Sequence, residues 1–174
     1  PEDLDYLGIE YGWTVNAVLR YRDLEGFKPW KDWDRNPLTV VIPVKGCWLD
    51  CVECGGSCRA MRTFLGRERP AFRSPEKVAA DLYNIQTYFR APTFVVGDIR
   101  MAGRRWAERM LTEAKRLGVK NRIAFELFRP ADQELLQMME RNLEGFSLEI
   151  SPDSHDDRVR GMLGRHYSNR SMED

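Results

Sequence analysis

Thr39-Val40-Val41-Ile42-Pro43-Val44 is a β-rich run that stops at Gly46 and opens into Cys47-Trp48-Leu49-Asp50-Cys51-Val52-Glu53-Cys54-Gly55-Gly56-Ser57-Cys58. β-branched residues crowd well on a pleated surface, so the run reads as a strand, with Pro43 placing a bulge or an interruption near its end. Every cysteine of the chain lies in the loop that follows. A strand that delivers a ligand-bearing loop is the arrangement of parallel α/β folds, where sites gather at the carboxyl ends of strands.

Working outward, the pattern becomes regular. Ser74-Pro75-Glu76 is a helix start, with a hydroxyl cap, proline in the first turn and then an acid. Val78, Leu82, Ile85 and Phe89 share one face of that helix, and Pro92 marks its end. Thr93–Val96 is a second strand stopping at Gly97-Asp98. Trp106, Met110, Ala114 and Leu117 form the next helical stripe, closed by Gly118. A strand at Ile123–Phe128, a helix at Asp132–Asn142 and a strand at Phe146–Ile150 complete the order β-loop-α-β-α-β-α-β. Strands alternating with helices in this way predict parallel βαβ units. Upstream, residues 1–38 are an aromatic-rich lead-in with a short helix expected from Trp13 to Arg22; residues 39–174 carry the regular pattern. Four parallel strands alone would leave unpaired sheet edges. Ser168–Asp174 has the residues of a helix first turn, and Pro1 is not an initiator methionine. A piece of a larger barrel or sheet is therefore expected.

Bulk composition bounds the function. The chain has 174 residues, 43% of them hydrophobic, and five Trp, enough to bury a core. Lys+Arg and Asp+Glu are balanced at 27 each, so no global field draws in nucleic acid or an anionic membrane. No apolar run approaches the roughly 18 residues of a membrane span and no signal peptide is visible, which predicts a cytoplasmic protein.

The cysteine spacing is C-x3-C-x2-C-x3-C. Disulfides between such close neighbours would staple nothing distant. A structural zinc site uses two ligand pairs about 12–20 residues apart, and here there is no second pair. His155 and His166 lie far along the chain. The ferredoxin run C-x2-C-x2-C-x3-C-P differs in its first gap, and Arg59 replaces its proline. Three thiolates from C-x3-C-x2-C fit an iron–sulfur cluster with one iron left open, as catalytic metal centres keep an open position. Gly55 and Gly56 would allow close approach. Cys58 reads either as a fourth ligand that closes the cluster or as a small spectator at the start of the next segment, the reading we favour.

The loop Cys47–Cys54 at the end of a first strand resembles the defining motif of radical S-adenosylmethionine (radical SAM) enzymes. From about Asn36 onward, Cys-Gly-Gly-Ser at 54–57, the segment 67–77, Phe-Glu-Leu-Phe at 125–128 and Leu-Glu-Ile-Ser at 148–151 are similar to a subgroup carrying an upstream cobalamin-binding domain. The resemblance implies a partial (β/α) barrel with about four parallel strands of the family's six. It implies that Cys47, Cys51 and Cys54 hold a 4Fe-4S cluster whose fourth iron takes S-adenosylmethionine. One electron from a low-potential donor of flavodoxin or ferredoxin type then gives methionine and a 5′-deoxyadenosyl radical that abstracts a hydrogen from an unknown substrate. Cobalamin is implied as a further cofactor of a full-length protein. The family's segment for the SAM amino group matches Gly97-Asp98, and Glu149 and Ser151 fall where the ribose or carboxylate is contacted. Two departures stand out: Glu53 replaces an aromatic, and Gly97-Asp98 has one glycine and an aspartate where the family has two glycines and a glutamate.

Each residue also has a plainer reading. Asp98 could be a loop-capping carboxylate. Glu126 and Glu149 could be the polar face of strands, with Glu149 the better site candidate. His155 reads as a capping or solvated residue, and Arg59, Arg62, Arg67, Arg69 and Arg73 as a solvated surface. The Trp106–Met110 stripe reads as core. From a different class, a non-catalytic iron–sulfur electron-transfer module or a zinc-binding structural module competes with the enzyme.

Overall fold

The computed structural model describes residues 4–173. It contains β1 (Thr39–Val41), β2 (Val44–Lys45), β3 (Ala71–Phe72), β4 (Thr93–Val95), β5 (Ile123–Leu127) and β6 (Phe146–Ile150). The helices are α1 (Tyr11–Tyr21), α2 (Cys58–Leu65), α3 (Pro75–Tyr88), α4 (Arg104–Leu117), α5 (Gln133–Asn142), α6 (Asp157–Met162) and α7 (Arg170–Glu173). Strands β1, β4, β5 and β6 form a four-stranded sheet in that order, parallel throughout. The alternation of strand and helix therefore gives the expected α/β fold.

The caps legible in the sequence hold the helices. The Ser74 hydroxyl accepts the Lys77 N–H at the start of α3, and Asp132 accepts the Leu135 N–H at the start of α5. Gly118 closes α4 in the left-handed conformation. Val41, Val95, Phe125 and Leu127 point from one face of the sheet into a core completed by Val78, Leu82 and Ile85 of α3 and Met110, Leu111 and Ala114 of α4. Trp106 packs against this core and its indole N–H donates to the Arg73 carbonyl, so the stripe is core as expected.

The expected strand Thr39–Val44 is divided. β1 enters the main sheet, whereas Val44–Lys45 pairs antiparallel with β3. Pro43 has no N–H to donate to a ladder, which ends β1, while its carbonyl accepts the Arg73 N–H at 2.8 Å. The first crossover is correspondingly longer than one helix, running through α2, β3 and α3.

The lead-in packs along α3. The Asp81 carboxylate accepts the Ile9 N–H, and Asn84 donates to the Ile9 carbonyl at 2.6 Å. Tyr11 and Trp33 each meet Phe89 edge-on, with centroids 5.0 and 5.4 Å away. Among the described residues, no helix is long and apolar enough to cross a membrane.

Candidate functional site

Cys47 lies two residues after β2, beyond Gly46, whose φ of +91° turns the chain away from the strand. The loop from Cys47 to Ser57 then folds over the carboxyl ends of the parallel strands. It encloses a cavity of about 620 Å³, within the range of about 300–1,000 Å³ usual for cofactor clefts. Cys47, Cys51 and Cys54 all line it, as do Gly55 and Gly56. Cys58 does not. It is the first residue of α2, and its N–H donates to the Leu49 carbonyl. The structure thus separates the first three cysteines from the fourth.

Two backbone N–H groups point at cavity sulfurs: Leu49 at Cys47 Sγ (3.3 Å) and Gly56 at Cys54 Sγ (3.4 Å). Such bonds favour thiolate and tune iron–sulfur centres. A Cβ on Gly56 would sit 3.6 Å from Cys54 Sγ, while Gly55 faces open space. Only Gly56 is therefore in close contact with a thiol. Burial pushes the Cys47 thiol above its ordinary range, with the Leu49 N–H opposing and the Cys51 and Cys54 sulfurs reinforcing. Burial also raises Cys51, opposed by Arg165 and reinforced by Asp153 and Glu53. Repulsion between thiolates that share one cavity would be relieved by a common cation or cluster.

The floor of the cavity comes from the strand ends. Gly97 and Ser151 line it. Asp98 does not: its carboxylate accepts from the Arg100 N–H and guanidinium and, at 3.1 Å, from the Phe128 N–H. Here the capping reading describes its contacts. Glu149 is exposed and also absent from the wall, and the carboxylate that the strands bring to the cavity is Glu126. Glu126 Oε2 accepts the Gly97 N–H at 2.6 Å, and Oε1 has no partner among the described residues. The register pairs Glu126 with Glu149 on one face, but β5 lies inside the sheet order and β6 at its end.

The segment after β6 supplies residues that no motif announced. Arg165 and Asp153 line the cavity, paired through Nε and Oδ2 at 2.7 Å, and the Arg165 guanidinium lies 4.6 Å from the Phe128 ring centre. Arg160, fully buried, bonds the Ser154 and Tyr167 carbonyls, Asn169 and Asp157, and so fixes this segment. Glu53 also reaches inward: its carboxylate, the Cys51 thiol and an Asp153 oxygen lie within 4.8 Å of one another. His155 is exposed, and its backbone carbonyl accepts from Asn169. Of the arginine run, Arg59 and Arg62 pair with Asp50 and Glu68 at the surface, whereas Arg73 is buried against Asp81.

Compared with known proteins, the chain matches no family model, no curated protein and no solved structure.

Proposed function

We propose that the chain forms the cluster-binding part of a radical SAM enzyme, with Cys47, Cys51 and Cys54 as ligands of a 4Fe-4S cluster. The observation that supports this reading is the separation of the cysteines: three line one cavity at the strand ends, and the fourth is outside it. The donor set fits, since three soft thiolates leave one iron of a four-iron cluster free for a small-molecule ligand. Held by these three residues, such a cluster would supply one electron, taken from a low-potential donor, for the reductive cleavage of S-adenosylmethionine.

The protein's own residues orient and shield. The Leu49 and Gly56 N–H groups donate to two of the ligand sulfurs and orient them. Glu126, with one oxygen anchored on Gly97, offers its free oxygen to the cationic amino group of the ligand, a role Asp98 cannot fill because Arg100 and Phe128 already occupy its carboxylate. Ser151 presents a hydroxyl on the same wall. Arg165, beside Cys51, compensates part of the negative charge of the thiolates.

A second reading is favoured by one observation. Cys51, Glu53 and Asp153 are close enough to hold a divalent ion such as zinc. Asp153 is already paired with Arg165, and that site would leave Cys47 and Cys54 unused.

Anaerobic reconstitution with iron and sulfide separates the two. The expected product is brown, carries about four irons per chain, and shows a changed electron paramagnetic resonance spectrum when S-adenosylmethionine is added to the reduced form. Cys47→Ala, Cys51→Ala and Cys54→Ala should each abolish the chromophore, and Cys58→Ala should retain it. Stoichiometric zinc retained by Cys54→Ala, with no cluster formed by the native sequence, would establish the second reading instead.

A further inference from the structure

Beside the cysteine cavity lies a second one of about 350 Å³, and Leu49, Met101, Phe128 and Arg165 belong to both walls. No cysteine lines the second cavity. Its character is set by guanidinium groups and flat rings. Arg100, Arg129 and Arg165 are all in the wall, against a single carboxylate, Asp98. Arg100 and Asp98 neutralise one another, with Nη2 and Oδ2 2.5 Å apart. The remaining Arg100 nitrogen, Nη1, is spent on the Pro130 carbonyl.

That leaves two guanidinium groups. Arg165 is 8% exposed; Nε is taken by Asp153, and Nη2 has no partner among the described residues. The Arg129 side chain has no partner among the described residues at all. Counting Asp153, three guanidinium groups face two carboxylates, an excess positive charge at a cleft whose rim carries the exposed Arg129. Phe128 lies under Arg165, and the Trp48 indole is fixed at the rim by its N–H bond to the Met101 carbonyl at 3.1 Å. Its face remains half exposed.

We propose that this cavity binds the anionic end, carboxylate or phosphate, of a flat organic ligand. Arg129 and Arg165 receive the anion, and Trp48 and Phe128 contact the body. A planar guanidinium with free N–H groups recognises either oxyanion in the same way. The inference goes beyond the cluster reading and does not depend on it. The shared wall places such a ligand next to the cysteine cavity, where a substrate of that cavity's chemistry would lie.

The test uses the full chain without metal, so failure to assemble a cluster does not affect it. Phenyl phosphate, benzoate, benzamide and benzylamine are titrated at one fixed salt concentration, followed by calorimetry and by the Trp48 indole N–H signal, assigned from Trp48→Phe. Phenyl phosphate or benzoate should bind and shift that signal, and the tighter of the two names the anion. Arg129→Gln should weaken that binding about tenfold, while Arg109→Gln, on the surface of α4, should leave it unchanged. Benzamide or benzylamine binding as tightly as the anions, equal losses in the two arginine variants, or no binding by any probe would overturn the proposal.

Discussion

Gly97 has a φ of +82°, and a Cβ built on it would meet Val44 Cγ1 at 3.2 Å and Met101 Cε at 3.3 Å. The positive φ strains any side chain placed there, and the same residue's N–H is the group that anchors Glu126. Gly97→Ala should therefore lower stability by about 1–2 kcal/mol through the left-handed backbone alone. Crowding against Val44 and Met101 adds to that cost. A denaturant midpoint measured at unchanged slope checks it. Gly55→Ala is the control, since its Cβ would meet nothing within 4 Å and should leave the midpoint in place. If the two variants unfold alike, Gly97 is not under the constraint its geometry implies. Glu53, unexplained by the motif around it, gains a setting at this scale: it stands in the cavity wall near Cys51 and Asp153.

At the scale of elements, α6 shows how a short helix serves the site. The Asp156 carboxylate accepts the Arg158 and Val159 N–H groups at 2.8 and 3.0 Å, and these two bonds hold its pKa below the ordinary range. A carboxylate with a depressed folded pKa adds stability above its unfolded pKa of about 3.9, and that stability is lost as pH falls through the folded value. Asp156→Ala should thus melt below the native sequence at pH 7, and the gap between the two melting curves should narrow as pH falls below about 3.9. A gap that persists unchanged in acid would mean that the carboxylate's charge is not what caps α6. The elements themselves were unequally legible. α3, α4 and α5 carried caps and apolar stripes, β5 was apolar but for Glu126, and β6 alternated apolar and polar residues. The two-residue β3 has no period to read, and the eight-residue α2 begins at Cys58, inside the stretch that reads as the ligand loop. At the site, the spacing singled out three cysteines, but alternation gives a strand's face and not its depth, so Glu149 was preferred where Glu126 is the inward carboxylate. Arg165 and Asp153 reach the cavity only through the folding of the segment after β6, which no local pattern encodes.

Across the whole molecule, one buried ion pair ties the lead-in, β3 and α3 together. Arg73, immediately after β3, is 3% exposed, and its Nη1 lies 2.5 Å from Asp81 Oδ2 on α3. The other Asp81 oxygen accepts the Ile9 N–H from the lead-in. The Arg73 carbonyl receives the Trp106 indole of α4, and its own N–H goes to Pro43 between β1 and β2. Among the described residues Arg73 Nε and Nη2 are buried without a partner, and Asp81 is the carboxylate that pairs with its charge. Removing one member of such a pair leaves an unpaired buried charge, which costs about 3–5 kcal/mol, whereas replacing both with apolar groups is often neutral. Asp81→Asn should accordingly destabilise the protein by an amount in that range. Arg73→Met combined with Asp81→Leu should recover much of the loss, although the Ile9 N–H then needs water as its partner. The single and double variants form a cycle read from denaturant midpoints. Additive losses would show that the two side chains do not act as a pair. A recovered double variant that still forms the cysteine cavity, tested by the same anaerobic reconstitution, would show that the pair stabilises the scaffold without shaping the site.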